Sequence, residues 1–135
     1  MKWSDTYSTG LKHLDDQHKM LFRMSEDYRE APREGHGERM YGVMLTALER
    51  YAKAHFKLEE QCMYRYRCPA GRMNTQAHAG FIKTLARFQD RYAASGFSRA
   101  EAHRLVEYVD QWLADHIGWI DARLRPLVGS SPLNS

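Results

Sequence analysis

The sequence predicts an all-α protein, an up-down-up-down antiparallel four-helix bundle. Three observations carry that expectation. Four segments place apolar residues at steps of three and four, the period of a helix with one buried face. The breaks between them are short and hold Pro and Gly, and no segment alternates apolar and polar residues as a strand would. Short connections between helices favour antiparallel neighbours.

The first helix is expected from about Leu11 to Glu30, ended by a loop from Ala31 to Gly37 that contains Pro32, Gly35 and Gly37. Its buried stripe reads Leu11, Leu14, His18, Leu21, Ser25 and Tyr28. The second runs from about Glu38 to Tyr66, with Met44, Ala47, Tyr51, His55, Leu58 and Cys62 as its stripe. Pro69 suits the first turn of the third helix. That helix carries Asn74, His78, Phe81, Leu85, Phe88 and Tyr92 and ends near Gly96. Ser98-Arg99-Ala100-Glu101 has the form of a capping box opening the fourth helix. The fourth stripe reads Leu105, Val109, Trp112, His116, Trp119 and Arg123, and Pro126 is expected to stop the helix at about Arg125. The bundle domain is thus placed at 1–128 and a disordered tail at 129–135.

Composition narrows the classes. A chain of 135 residues fits one compact domain. At 43% hydrophobic and 27% charged residues, it can bury a core without disulfides. The net charge of +3 comes without a dense Lys/Arg run, which argues against a nucleic-acid surface. The start, Met1-Lys2-Trp3-Ser4-Asp5, lacks the apolar run of a signal peptide, and no stretch is long and apolar enough for a membrane span. Cys62 and Cys68 lie six residues apart on or beside one helix, a rise of roughly 9 Å and too far for a disulfide. Two reduced thiols and a cytoplasmic location are the expectation.

Seven His in so short a chain point to metal. One sits in the core stripe of every helix: His18, His55, His78 and His116. A single His on an apolar face is ordinarily a core residue with a hydrogen-bond partner. Four of them, one per helix, are hard to account for that way, because buried polar groups are costly unless paired or metal-bound. Counted from the bundle end formed by the second turn, all four fall about 7 to 14 residues in, within one rough layer. Glu59 lies one turn after His55 on the same face, and Asp121 lies five residues after His116. Imidazole with carboxylate suits iron, manganese or zinc. Six ligands exceed the needs of one tetrahedral zinc, whereas two metals bridged by two carboxylates use all six. Ferritin-like di-iron sites use four Glu and two Glu-x-x-His pairs, so this set is richer in nitrogen. Fewer anionic donors favour reversible oxygen binding over oxygen cleavage.

The motifs resemble those of the hemerythrins, the bacterial single-domain members most closely, from Trp3 to about Leu124. Tyr7-Ser8-Thr9-Gly10-Leu11, followed by Asp15-Asp16-Gln17-His18-Lys19-Met20-Leu21-Phe22, is similar to the family's entry to its first helix. His55-Phe56-Lys57-Leu58-Glu59-Glu60 with Met63, Tyr66 and Pro69 resembles its second-helix signature. His78 with Phe81, and His116-Ile117 with Asp121, match the remaining motifs. The resemblance implies two non-haem iron ions bridged by Glu59 and Asp121. It implies that His18 and His55 complete the iron that binds oxygen and that His78 and His116 hold the other. Asn74 stands where the family's third helix begins a His-x-x-x-His pair. Its shorter side chain would reach a metal only if the helix moved inward; otherwise water would serve there. Weaker metal binding than in a full seven-ligand relative is the expectation.

Leu21, Phe22, Leu58, Phe81, Trp112 and Trp119 are expected to wall an oxygen pocket, and Cys62, three residues beyond Glu59, could line it or simply pack. His13, His36 and His103 read as surface residues. The resulting expectation is a reversible dioxygen binder serving as carrier, buffer or sensor. It would be a monomer or weak oligomer, and a sensor would need a separate signalling partner. The alternatives are a di-iron enzyme acting on peroxide or nitric oxide, and an altered site with one metal or none.

Overall fold

The computed structural model describes residues 3–30 and 37–130, with the side chains of residues 30, 37, 39, 121 and 130 outside the described set. A 3₁₀ turn, Asp5–Tyr7, precedes four α-helices: α1 Lys12–Glu30, α2 Gly37–Arg65, α3 Gly71–Ser95 and α4 Arg99–Ser130. They form the expected antiparallel bundle. Helix α1 packs chiefly on α4, and α2 on α3. Among the described residues no helix is long and apolar enough to cross a membrane. The expected loop at 31–36, with His36, and the tail at 131–135 lie outside the described residues.

The stripes of α1 and α3 emerge as read: Leu14, His18, Leu21 and Ser25 are buried, as are Asn74, His78, Phe81, Leu85 and Phe88. The α2 stripe is rotated. Its buried residues are Tyr41, Met44, Leu45, Leu48, Ala52, His55, Phe56, Glu59 and Met63, while Ala47, Tyr51, Leu58 and Cys62 are half-buried on its edge. In α4 the deepest side chains are Leu105, Leu113, Ile117, Ile120 and Leu124, with Trp112 and Trp119 half-buried and Arg123 exposed.

The expected stop at Pro126 does not occur: α4 continues through Pro126 to Ser130. A proline inside a helix removes one backbone hydrogen bond and crowds the preceding turn. Here Leu124 and Val128 are fully buried with Leu14, Met63 and Ile120, and that packing holds the last turns. Arg125 also donates to the carbonyls of Ser8 at 2.8 Å and Thr6 at 3.0 Å, tying the N-terminal turn to α4. Gly129 and Ser130 therefore belong to the helix, not to the tail. Pro69 falls in the turn before α3, whose first bond runs from Asn74 N–H to Ala70 C=O at 3.0 Å. Arg67 turns the chain there with φ 54, and Gly96 closes α3 with φ 76, a conformation that glycine adopts without strain. Ser98 Oγ caps α4 by accepting from Glu101 N–H at 3.3 Å. The carboxylate of Glu101 turns instead to Arg91 and Arg104, so only half of the capping box forms.

Among the described residues the core has two apolar clusters. One contains Leu21, Phe22, Phe56, Phe81, Leu105, Leu113 and Ile117; the other contains Leu14, Met63, Ile120, Leu124 and Val128. Between them along the bundle lies a buried polar layer.

Candidate metal centre

That layer is built around Glu59, which is fully buried. Its Oε2 lies 2.8 Å from Nε2 of His18 and 3.2 Å from Nε2 of His55. Its Oε1 lies 2.7 Å from Nε2 of His78 and 3.0 Å from Nε2 of His116. One carboxylate thus divides four imidazoles, one from each helix, into two pairs. His18, His55 and Glu59 form one triad able to hold a metal ion, and Glu59, His78 and His116 form a second.

The protonation of these rings bears on whether a cation fits. Nδ1 of His78 faces the Glu60 carboxylate at 2.8 Å, and a carboxylate can only accept, so Nδ1 carries a hydrogen. In the neutral ring Nε2 is then a bare lone pair, set 2.7 Å from a carboxylate oxygen and 3.0 Å from Nε2 of His116. Acceptors facing acceptors at that range require a positive charge between them. A proton bridges one such pair; a metal ion meets all three atoms. Two ligand atoms each about 2.1 Å from one ion and at right angles across it lie about 3.0 Å apart. The observed separations of 2.7 to 3.2 Å have that length. The donor set fits a cation.

Electrostatics agree. Burial opposes the charge on Glu59, but positive charge at its oxygens, as protons carried on the facing imidazole nitrogens, outweighs it and holds the carboxyl well below its usual range. Burial pushes His55 and His116 down, against the pull of Glu59, which favours the neutral rings that ligate metal.

Neighbouring groups orient the rings. Nδ1 of His55 lies 2.7 Å from the amide oxygen of Gln17, the counterpart of the Glu60–His78 contact. Phe56 stacks on His78 with ring centroids 3.9 Å apart and planes at 4°, and Trp112 stacks on His116 at 4.3 Å. Gln17, Glu60 and Phe56 have no site role in the sequence reading. Each is the chain neighbour of a candidate ligand, which is the one signal that could have found them.

The expected pocket residues scatter more than the ligands do. Trp112 and Trp119 flank His116, the latter at 6.0 Å. Phe81 packs edge-on to Phe56 and near Trp112, and Leu21 joins the same cluster. Phe22 turns to Trp3 and Tyr7 at 6.2 and 5.4 Å, and Leu58 is half-buried against the smaller cluster. Cys62 is half-buried, and burial, then the nearby Glu59 charge, push its thiol up. Both Cys62 and Cys68 are free. His13 and His103 are exposed. The Asp121 side chain lies outside the described set. Asn74 is completely buried in the first turn of α3, one turn before His78, and among the described residues neither atom of its amide has a hydrogen-bond partner.

Comparison with known proteins gives a consistent account. The chain is 26% identical to a bacteriohemerythrin of Pseudomonas aeruginosa over 125 residues, covering 89% of this chain and 79% of the relative. It is 26% identical to a bacteriohemerythrin of Methylococcus capsulatus over 132 residues, 96% and 98% of the two chains. A myohemerythrin of Theromyzon tessulatum is 22% identical over 124 residues, 92% and 90% of the two. The sequence profile of the hemerythrin HHE cation binding domain matches residues 9–128, nearly the whole bundle. A buried histidine–carboxylate layer in a four-helix bundle, together with that match, makes this chain a member of the hemerythrin HHE cation-binding family.

Proposed function

We propose that the protein is a non-haem di-iron protein that binds dioxygen reversibly, as a cytoplasmic carrier, buffer or sensor. The observation that carries this reading is the division of labour at Glu59, one oxygen for His18 and His55 and the other for His78 and His116. Each of those two pairs would hold one iron, with the Glu59 carboxylate shared between them. Asp121, five residues beyond His116 on α4, would supply a second shared carboxylate. When bound, such an iron pair supplies the electrons that reversible dioxygen binding needs.

The chain's own residues do the rest. Gln17 and Glu60 hold Nδ1–H of His55 and His78 and turn Nε2 inward. Phe56 and Trp112 fix two ring planes. The two apolar clusters pack above and below the layer along the bundle. The names of the relatives, bacteriohemerythrin and myohemerythrin, support the reading.

Cycling iron-loaded protein between air and argon while following dissolved oxygen tests it. Uptake of one dioxygen per chain, returned under argon, is the expected result. Turnover of added peroxide or nitric oxide, with no dioxygen returned under argon, would instead support the second reading, a di-iron enzyme acting on those substrates, which the unpartnered Asn74 amide favours.

A further inference from the structure

The two halves of the buried layer differ. On the His78–His116 side, Asn74 contributes a buried primary amide with no partner among the described residues for its oxygen or its nitrogen. Buried polar groups in folded proteins are nearly always satisfied, so an amide unpaired on both atoms marks a place where a polar group is to be received. The same side opens outward. A cleft of about 300 Å³ between α3 and α4 is lined by Met73, Ala77, Trp112, Asp115, His116 and Trp119. Met73 and Ala77 immediately precede Asn74 and His78, so the cleft runs beside this half and reaches His116 itself. Its walls are mostly apolar. Its one carboxylate, Asp115, is exposed and accepts from Gln111 at 3.0 Å, so its charge is screened by salt.

Donor counting points the same way. On the dinuclear reading above, on which this inference rests, an ion held by His78, His116, Glu59 and Asp121 has four protein donors. First-row divalent ions with nitrogen and oxygen ligands take up to six. Two divalent ions bring four positive charges against the two negative charges of the bridging carboxylates. An added ligand is therefore favoured if it is anionic.

We infer that the His78–His116 half takes a small monodentate anion of its own, admitted through the α3/α4 cleft and hydrogen-bonded by the Asn74 amide. This position is separate from any ligand taken on the His18–His55 half. A chain with His at position 74 would fill it with its own side chain.

Azide titrated into the dicobalt(II) protein tests this, because visible cobalt absorption reports coordination number without any activity assay. Two azides per chain in the native protein and one in Asn74→His are expected. Asn74→Leu should still bind two cobalt ions, with the second azide about tenfold weaker for loss of the hydrogen bond. Ala77→Trp, which narrows the cleft, should slow the second azide and leave the first unchanged. One azide per two cobalt ions in the native protein, as when Asn74 itself ligates, would overturn the inference and leave the dinuclear reading standing. Fewer than two cobalt ions per chain would overturn both.

Discussion

The Glu60 carboxylate lies 2.8 Å from Nδ1 of His78, on the side of the ring opposite Glu59. It fixes which nitrogen of His78 faces the buried layer, although Glu60 itself is partly exposed. Groups placed this way typically change metal affinity by about 10- to 100-fold when removed. Glu60→Ala is expected to weaken metal at the His78–His116 pair by that factor and leave the fold intact. Gln17→Leu should do the same for the His18–His55 pair. Competition with a chromophoric chelator, alongside far-UV circular dichroism, checks both.

Glu59 is shared by both triads, and the histidines are not. Glu59→Ala should therefore lose both metal ions together, whereas His18→Ala should lose one. Metal per chain after gel filtration, measured by plasma emission, separates these outcomes. Retention of one ion by Glu59→Ala would show that the triads are independent.

Metal is expected to stabilise the fold by mass action. At a free concentration a hundredfold above the dissociation constant, a single ion contributes about 2.7 kcal/mol. Thermal unfolding should shift upward with added ferrous iron and return on chelation. An unchanged Tm would mean that no ion binds the folded state preferentially.

Tyr41 is 1% exposed, and its hydroxyl has no hydrogen-bond partner among the described residues. Burial, then the negative charge of Glu101, pushes its pKa up to about 12. The unfolded phenol ionises near 10. Above that pH the unfolded chain releases a proton that the folded chain retains, so stability is full below pH 10 and is lost as pH rises toward 12. Tyr41→Phe should remove this alkaline loss and, at neutral pH, leave stability equal or higher by about 1 kcal/mol, since no hydrogen bond is broken. Urea unfolding at pH 8 and pH 11 measures both effects.

The final turns of α4 are structural. Val128 is 1% exposed and packs with Leu14, Met63 and Ile120. Val128→Ala is expected to cost about 2 kcal/mol. A value near zero in denaturant unfolding would place those turns outside the core.

These tests also mark where sequence patterning reaches its limit. His18, His55, His78 and His116 are legible because a buried imidazole is costly and four of them share one depth, and the structure gathers them about Glu59. The α2 face is misjudged because Tyr51, Leu58 and Cys62 are apolar enough for the core yet sit at its edge, while Tyr41, Leu45 and Phe56 take the centre. Pro126 misleads because local propensity yields to the burial of Leu124 and Val128 on either side of it. Gln17 and Glu60 escape because a polar residue that orients a ligand reads the same as one that faces water. Asn74 stands out as a buried polar residue with no partner among the described residues, a fact that only packing reveals.

The measurement that bears most directly on the central claim is iron per chain after anaerobic loading and removal of excess metal. The division of four imidazoles across the two oxygens of Glu59 predicts two irons. One iron, or none, would contradict it and would make the layer a mononuclear or purely structural site.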